Sequence, residues 1–164
     1  MKREYPEQPI IGVGGIVFQG ESVLLIKRGR EPALGQWSIP GGVVDLGETL
    51  QAAVVREVRE ETQVEVEPLA LVKVLDRIFR DKEGRVTYHY VLADFLCRRT
   101  GGEVSPGSDA LEARFVPVAE LASWQVIPAT RDVVFQAARL LQNPQIWDQV
   151  PHLKVYGDLS GDQT

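Results

Sequence analysis

Cysteine and histidine are scarce in this chain of 164 residues. The single cysteine, Cys97, cannot form an internal disulfide and cannot build a zinc site alone. The two histidines lack the spacing of paired metal ligands, so we expect structural roles for them. No apolar run reaches the roughly 18 residues of a membrane span. These shortages exclude a disulfide-stapled scaffold, a zinc-finger domain and a transmembrane helix.

Basic residues are also too few for a protein that coats nucleic acid. The chain has 18 Lys+Arg against 23 Asp+Glu, a formal net charge of −5. Because non-specific binding to phosphates needs a basic surface, we expect no nucleic acid polymer as partner. An anionic ligand would need a metal or a local cluster of basic groups. The opening segment, MKREYPEQP, lacks the apolar core of a signal peptide, which predicts a cytoplasmic protein with no membrane partner.

The order of apolar runs and glycine-rich breaks predicts one mixed α/β domain. We expect its core at about residues 10–142, with residues 1–9 as a loose arm and 143–164 as a peripheral tail. A long loop is predicted over 29–47, which is rich in glycine, and another over 100–109. Strands are predicted over 10–18, 22–28, 69–79, 85–98 and 113–118, and helices over 49–62 and 130–142.

The helix predicted over 49–62 contains a local contradiction. At 100° per residue, Val54 and Val58 mark an apolar face, and Glu57 and Glu61 fall in the middle of it with Glu60 beside them. Carboxylates are almost never buried unless something pairs them, and like charges this close raise one another's pKa. A hard divalent cation such as Mg²⁺ would resolve the conflict because it prefers oxygen ligands.

The alternative is that REVREE is an ordinary solvated face. Glu and Arg four residues apart stabilise exposed helices by a few tenths of a kcal/mol. The glycine pair just upstream favours a ligand site instead. Gly41 and Gly42 let the backbone approach a ligand closely, and the Gly41 carbonyl is a further hard oxygen donor.

The whole segment resembles a known signature. From Gly42 to Val64 it reads G-x5-E-x7-R-E-V-x-E-E-x-Q-V, which is similar to the 23-residue Nudix box of the Nudix hydrolases at all positions but one. The exception is Gln63, which stands where that family has a glycine. If that glycine serves a positive φ at the helix end, Gln costs about 1 kcal/mol and leaves the carboxylates in place. The flanking stretches LLIKR, WSIPGG and ARFVPVAEL also resemble this family.

The resemblance implies an α/β/α sandwich, with a mixed sheet between helices and the box forming a loop–helix–loop. It implies that Glu57 and Glu61 are the principal ligands of Mg²⁺, or of Mn²⁺, with Glu60 and the Gly41 carbonyl completing the site. The metal would activate the water that attacks a phosphorus of a diphosphate linkage. Two further residues have implied catalytic roles: Glu48 would orient a ligand or a water, and Arg56 would hold the glutamates in place.

Outside the box the assignments are less specific. Arg28 and Arg80 are candidate phosphate contacts, Gly42 is a candidate for close approach to substrate, and Glu112 is a candidate extra metal ligand or general base. The predicted substrate is a nucleoside diphosphate derivative, with one like ADP-ribose preferred. The proline that marks ADP-ribose hydrolysis in part of the family, about 15 residues past the box, is absent from residues 78–80.

Two other functions stay open at this point. One is a MutT-like hydrolase that removes pyrophosphate from nucleoside triphosphates. The other is a non-catalytic Nudix-fold module that binds a nucleotide. The intact carboxylates favour an enzyme, because a binding module does not need them clustered. The expected partner is a small nucleotide-type molecule, with a second copy of the chain as an option.

Overall fold

A mixed β-sheet of seven strands runs through the structure, a computed structural model that describes residues 3–143. The strands are β1 (Ile10–Gln19), β2 (Ser22–Arg28), β3 (Trp37–Ser38), β4 (Gly41–Val43), β5 (Glu65–Arg80), β6 (Val86–Gly101) and β7 (Ala110–Pro117). The helices are α1 (Leu50–Thr62), a short 3₁₀ turn (Val118–Glu120) and α2 (Pro128–Gln142). The predicted tail falls largely on residues 144–164, which lie outside the described residues.

The strand order along the sheet is β3-β2-β1-β6-β5, with β4 also paired to β1 and β7 to β2. Strands β1 and β6 run parallel, and the other pairs are antiparallel, which makes the sheet mixed. In the register, Gly14 of β1 lies between Gly41 of β4 and Asp94 of β6. All three residues of this row line a cleft.

The two helices cover opposite faces of this sheet. Because successive side chains of a strand point to opposite faces, Ile16 and Val17 belong to different cores. Ile16 packs in the cluster that includes Val133 and Ala137 of α2. Val17 packs in the cluster that includes Val54 of α1. The predicted α/β/α sandwich is therefore confirmed.

Helix α1 has well-defined ends. Thr49 is its N-cap, with extended backbone and a hydroxyl that accepts from the Ala52 N–H at 3.1 Å. The helix ends at Gln63, which has φ of 60° in the left-handed region and whose N–H donates to the Arg59 carbonyl at 2.9 Å. The helix was predicted over 49–62 and agrees with the structure to within one residue.

The segment 29–47 differs from the prediction of one irregular loop, because it contains β3 and β4. Both are too short to show periodicity, and β4 contains two glycines; each forms only through long-range pairing, β3 with β2 and β4 with β1. In the N-terminal arm, the Tyr5 N–H donates to the Thr87 carbonyl at 2.8 Å. Among residues 3–143, no helix has the length and apolarity that a membrane span requires.

Candidate active site

A cleft of about 490 Å³ opens where β4 and the C-terminal half of α1 meet the sheet. It gathers acidic side chains of α1 on one side and arginines of β2 and β5 on the other. The residues of the cleft that matter for its chemistry are Arg28, Gly41, Gly42, Arg56, Glu57, Glu60, Glu61, Arg77, Asp94 and Asp109.

Glu61 is the most deeply buried carboxylate of α1, at 6% exposure. Its Oε2 accepts a hydrogen bond from the Gly41 N–H at 2.8 Å. Burial raises the pKa of this carboxyl to about 7; the Gly41 hydrogen bond opposes the rise and the nearby Glu57 charge adds to it. The helical wheel placed Glu61 on the apolar face. Its burial there disfavours the ionised carboxylate, which is why its pKa is raised.

Glu57 lies one turn earlier on α1, against the backbone of Gly42. A Cβ built on Gly42 would lie 2.4 Å from the Glu57 carboxylate, so a side chain at position 42 would collide with it. Arg56 donates to Glu57 Oε1 at 2.7 Å. Burial nevertheless raises the pKa of Glu57, because the Arg56 contact offsets only part of the desolvation.

Arg56 ties the helix to the loop before it. Its Nε and Nη2 donate to the two oxygens of Glu48 at 2.9 and 2.8 Å, and Nη2 also donates to the Val43 carbonyl at 3.0 Å. This bidentate contact lowers the pKa of Glu48 and raises that of Arg56. Arg56 therefore lies beside the carboxylates of both Glu48 and Glu57. Glu48 contacts Arg56 and the Asp45 N–H and does not line the cleft.

The donor set suits a hard cation that completes its shell with other oxygens. Within residues 3–143, no three His, Cys, Asp or Glu side chains are gathered as a complete ligand set. The charge of Glu57 lies close enough to raise the pKa of Glu61, while Glu60 is half exposed and 3.5 Å from Arg56. Mg²⁺ commonly uses one or two carboxylates together with water and substrate phosphate, so these residues fit it.

Two arginines face the carboxylates across the cleft. Arg28 ends β2, and its Nε donates to the Pro32 carbonyl at 3.0 Å. Arg77 of β5 lies over the Phe79 ring at 5.3 Å, and its pKa is lowered first by burial and then by the charge of Arg28. Arg80, the other candidate phosphate contact, lies outside the cleft and donates to the Gly84 carbonyl at 3.0 Å. The alternation of strand residues explains this, because positions 77 and 80 point to opposite faces.

Glu112 is likewise not brought to the cleft. It pairs with Lys27 at 3.2 Å and with Arg114, and these contacts lower its pKa. Its neighbour Asp109 does line the cleft and pairs with Arg30 at 2.6 Å. The acidic residue that reaches the cleft before β7 is thus Asp109, three positions earlier than the predicted Glu112.

Sequence reasoning missed Asp94 and Ser38. Both are buried and both line the cleft. One signal for Asp94 was available: it is the only charged residue within the apolar stretch VLADFLC of a predicted strand. Ser38 gave no signal, because its strand was not predicted.

Comparison with known proteins agrees with this geometry. A family model described as the NUDIX domain matches residues 8–137. The chain belongs to the NUDIX family. The match includes β1 to β7, α1 and most of α2, so it covers the whole candidate site.

Individual relatives within the Nudix family carry names that describe different activities. An ADP-ribose pyrophosphatase of Methanocaldococcus jannaschii is 39% identical over 107 residues, 65% of this chain and 61% of that protein. A putative 8-oxo-dGTP diphosphatase 2 of Mycobacterium tuberculosis is 37% identical over 134 residues, 80% of this chain and 89% of that protein. The crystal structure of a MutT NUDIX hydrolase from Burkholderia pseudomallei superposes with a TM-score of 0.70 at 32% identity, over 79% of this chain and 98% of that chain.

Proposed function

We propose that this Nudix protein hydrolyses the diphosphate linkage of a nucleoside diphosphate derivative, with an ADP-ribose-like compound as the preferred substrate. The observation that carries the proposal is the placement of Glu61 and Glu57 beside Gly41 and Gly42, in a cleft that also holds Arg28. The similarity to the Methanocaldococcus jannaschii ADP-ribose pyrophosphatase supports the choice of substrate.

In the proposed reaction, water forms a new bond to one phosphorus and the bridging P–O bond breaks. The products are a nucleoside monophosphate and a second phosphate-bearing fragment. Arg28 and Arg77 would bind the non-bridging oxygens, since guanidinium groups match phosphate geometry. Arg56 would act at one remove, by fixing Glu57 and the loop that ends at Glu48.

Nudix hydrolases generally depend on divalent metals, and we propose Mg²⁺ or Mn²⁺ here. Glu57 and Glu61 would hold the ion, with Glu60 and the Gly41 carbonyl in support. A bound cation would supply charge that offsets the diphosphate and would lower the pKa of a coordinated water. The cleft supports this proposal, because a cation would offset the repulsion between a diphosphate and the ionised glutamates.

The second candidate is a MutT-like nucleoside triphosphate pyrophosphohydrolase. The Mycobacterium tuberculosis relative, named as a putative 8-oxo-dGTP diphosphatase, favours it through the larger share of both chains that is matched. A non-catalytic nucleotide-binding module is the third, and the retained carboxylates of α1 argue against it. A cytoplasmic location and a homodimer stay predictions from the sequence.

A hydrolysis screen, in which the products are separated and identified by chromatography, tests these functions against one another. Purified protein with Mg²⁺ would be offered ADP-ribose, NADH, diadenosine polyphosphates, sugar nucleotides and nucleoside triphosphates, including 8-oxo-dGTP. We expect ADP-ribose to give the highest kcat/KM, and Glu57→Gln and Glu61→Gln to lose at least about 100-fold. A preference for triphosphates would select the MutT-like alternative. Binding without turnover of any compound would select the non-catalytic module.

A further inference from the structure

Asp94 is a buried carboxylate that the reaction proposed above does not use. It is 6% exposed and lines the cleft from the centre of β6. Among residues 3–143, no side-chain hydrogen bond and no ion pair within 4 Å reaches it. Burial raises its pKa to about 6, since the charges of Lys73 and Arg77 offset only part of the desolvation. In its ionised form, Asp94 can only accept hydrogen bonds.

The sheet places Asp94 at a defined distance from the proposed diphosphate site. Gly41, Gly14 and Asp94 are partners in one row across β4, β1 and β6. Two strand spacings separate the backbones of Gly41 and Asp94 by about 10 Å. Gly14 keeps the row open between them, since a Cβ at that position would lie 2.4 Å from Asp94 Oδ1. A nucleoside whose phosphate lies beside Glu61 would extend along this row toward Asp94.

Apolar side chains line part of the cleft that holds Asp94, together with the charged Arg77. Ile26, Ile39 and Leu92 line the same cleft. Ser38 adds a second buried polar atom, an Oγ that has no hydrogen-bond partner in the described part of the chain. Apolar walls with a few placed polar groups are typical of sites that orient a small molecule. Buried polar groups without partners are rare in native proteins, which points to a ligand that satisfies them.

We propose that Asp94 determines which base the enzyme accepts, by accepting a hydrogen bond from the exocyclic amino group of a purine. This inference rests on the proposed function, because it assumes a nucleotide in the cleft. An ionised carboxylate repels a phosphate, but it pairs with the 6-amino group of adenine or with the 2-amino group of guanine. Hypoxanthine has a repelling O6 at the first of these positions and no donor at the second. Ser38 would complete the pairing from its own side of the cleft.

Binding of non-hydrolysable analogues tests the proposal without any turnover. In α,β-methylene-ADP the bridging oxygen is replaced by carbon, and its affinity would be measured by calorimetry with Mg²⁺ present. We expect the inosine counterpart, which lacks the amino group, to bind about 10- to 100-fold more weakly. The guanosine counterpart tells whether adenine or guanine is preferred. The 2′-deoxyadenosine counterpart tests the ribose hydroxyl as a competing partner of Asp94.

The variant Asp94→Asn should remove most of this discrimination. Its amide can rotate to accept from adenosine or to donate to inosine, so the affinity ratio should fall below about 3. Asp76→Asn is the matched control, because Asp76 lies on the neighbouring strand with its side chain 67% exposed and outside the cleft. It should keep the wild-type ratio. If the melting temperature shows that Asp94→Asn does not fold, Asp94→Ser provides the same comparison.

Three results would overturn the inference. The first is equal affinity of the wild type for the adenosine and inosine analogues. The second is an adenosine-to-inosine affinity ratio that is unchanged in the folded Asp94 variant. The third is a loss of affinity on removal of the ribose 2′-hydroxyl but not on removal of the amino group. Wild-type protein that binds these analogues selectively but hydrolyses no compound of the screen would refute the proposed function and leave the role of Asp94 standing. Protein that binds no analogue and hydrolyses no compound of the screen would refute both.

Discussion

At the scale of single residues, Gln63 is the clearest departure from the family signature. It is exposed and has φ of 60°, a conformation that a side chain with a Cβ disfavours by about 1 kcal/mol. We predict that Gln63→Gly raises the melting temperature by about 2–4 °C, measured by calorimetry. Turnover and metal affinity should not change, because the side chain lies beyond Glu61.

A control for this substitution lies in the same helix. Arg59 is exposed and helical, so Arg59→Gly should lower stability by about 1 kcal/mol where Gln63→Gly raises it. A lower melting temperature for Gln63→Gly would contradict the strain argument. A change in turnover at unchanged stability would show that Gln63 acts directly on the site.

Glu61 makes the metal-free protein sensitive to pH. Its pKa is about 7 in the folded state against an ordinary value of 4.5, so the folded state binds more protons between these values. Stability in chelator should therefore fall as pH rises from about 4.5 to 7, by a few kcal/mol in total. Glu61→Gln should remove most of that fall and be more stable than wild type above pH 7, as measured by denaturant unfolding.

The exposed Glu103 provides the comparison for Glu61. Glu103→Gln removes a charge from a side chain in open solvent, and its unfolding curve should follow wild type across the same pH range. Asp94 contributes a fall of the same sign between about pH 3.8 and pH 6, because its pKa is raised from 3.8 to about 6. If Glu61→Gln keeps the full wild-type dependence, the carboxyl is solvated and the site is more open than described.

At the scale of elements, the approach of β4 to α1 makes the site. The Cβ of Gly42→Ala would lie 2.4 Å from the Glu57 carboxylate and displace it. We predict that this variant weakens Mg²⁺ binding by at least about 10-fold, read as the Mg²⁺ concentration that raises the melting temperature halfway. Catalytic turnover at fixed Mg²⁺ should fall in parallel.

Val44→Ala is the matched control for Gly42→Ala, since it alters the same segment but adds no atom beside Glu57. It should lose some packing stability and keep the wild-type response to Mg²⁺. An Mg²⁺ response of Gly42→Ala equal to wild type would mean that Glu57 is not a ligand.

At the scale of the whole molecule, the fold brings the carboxylates of Glu57 and Glu61 together at one cleft. We predict that chelation abolishes turnover and that added Mg²⁺ or Mn²⁺ restores it. The metal should also raise the melting temperature, because it binds the folded protein and relieves repulsion between Glu57 and Glu61. Glu57→Gln and Glu61→Gln should lose this thermal response. Full turnover in excess chelator would refute the metal-dependent mechanism.

Much of this protein could be derived from local sequence. Apolar periodicity and glycine breaks were enough for the mixed α/β fold and for the bounds of α1, because these depend on neighbours along the chain. The wheel placed Glu57 and Glu61 on a buried face for the same reason. The signature from Gly42 to Val64 then indicated the family that the comparison confirms.

Only the tertiary structure decided which distant residues share the cleft. Arg77 lies in it and Arg80 does not, because strand alternation and the pairing of β5 with β6 fix which face each occupies. Asp94 gains its place through the row from Gly41 across Gly14, which joins three strands that are far apart in sequence. Such contacts depend on strand register, and a one-residue shift would move every side chain to the other face. Local pattern determined the elements and the carboxylates of α1, whereas register determined what faces them.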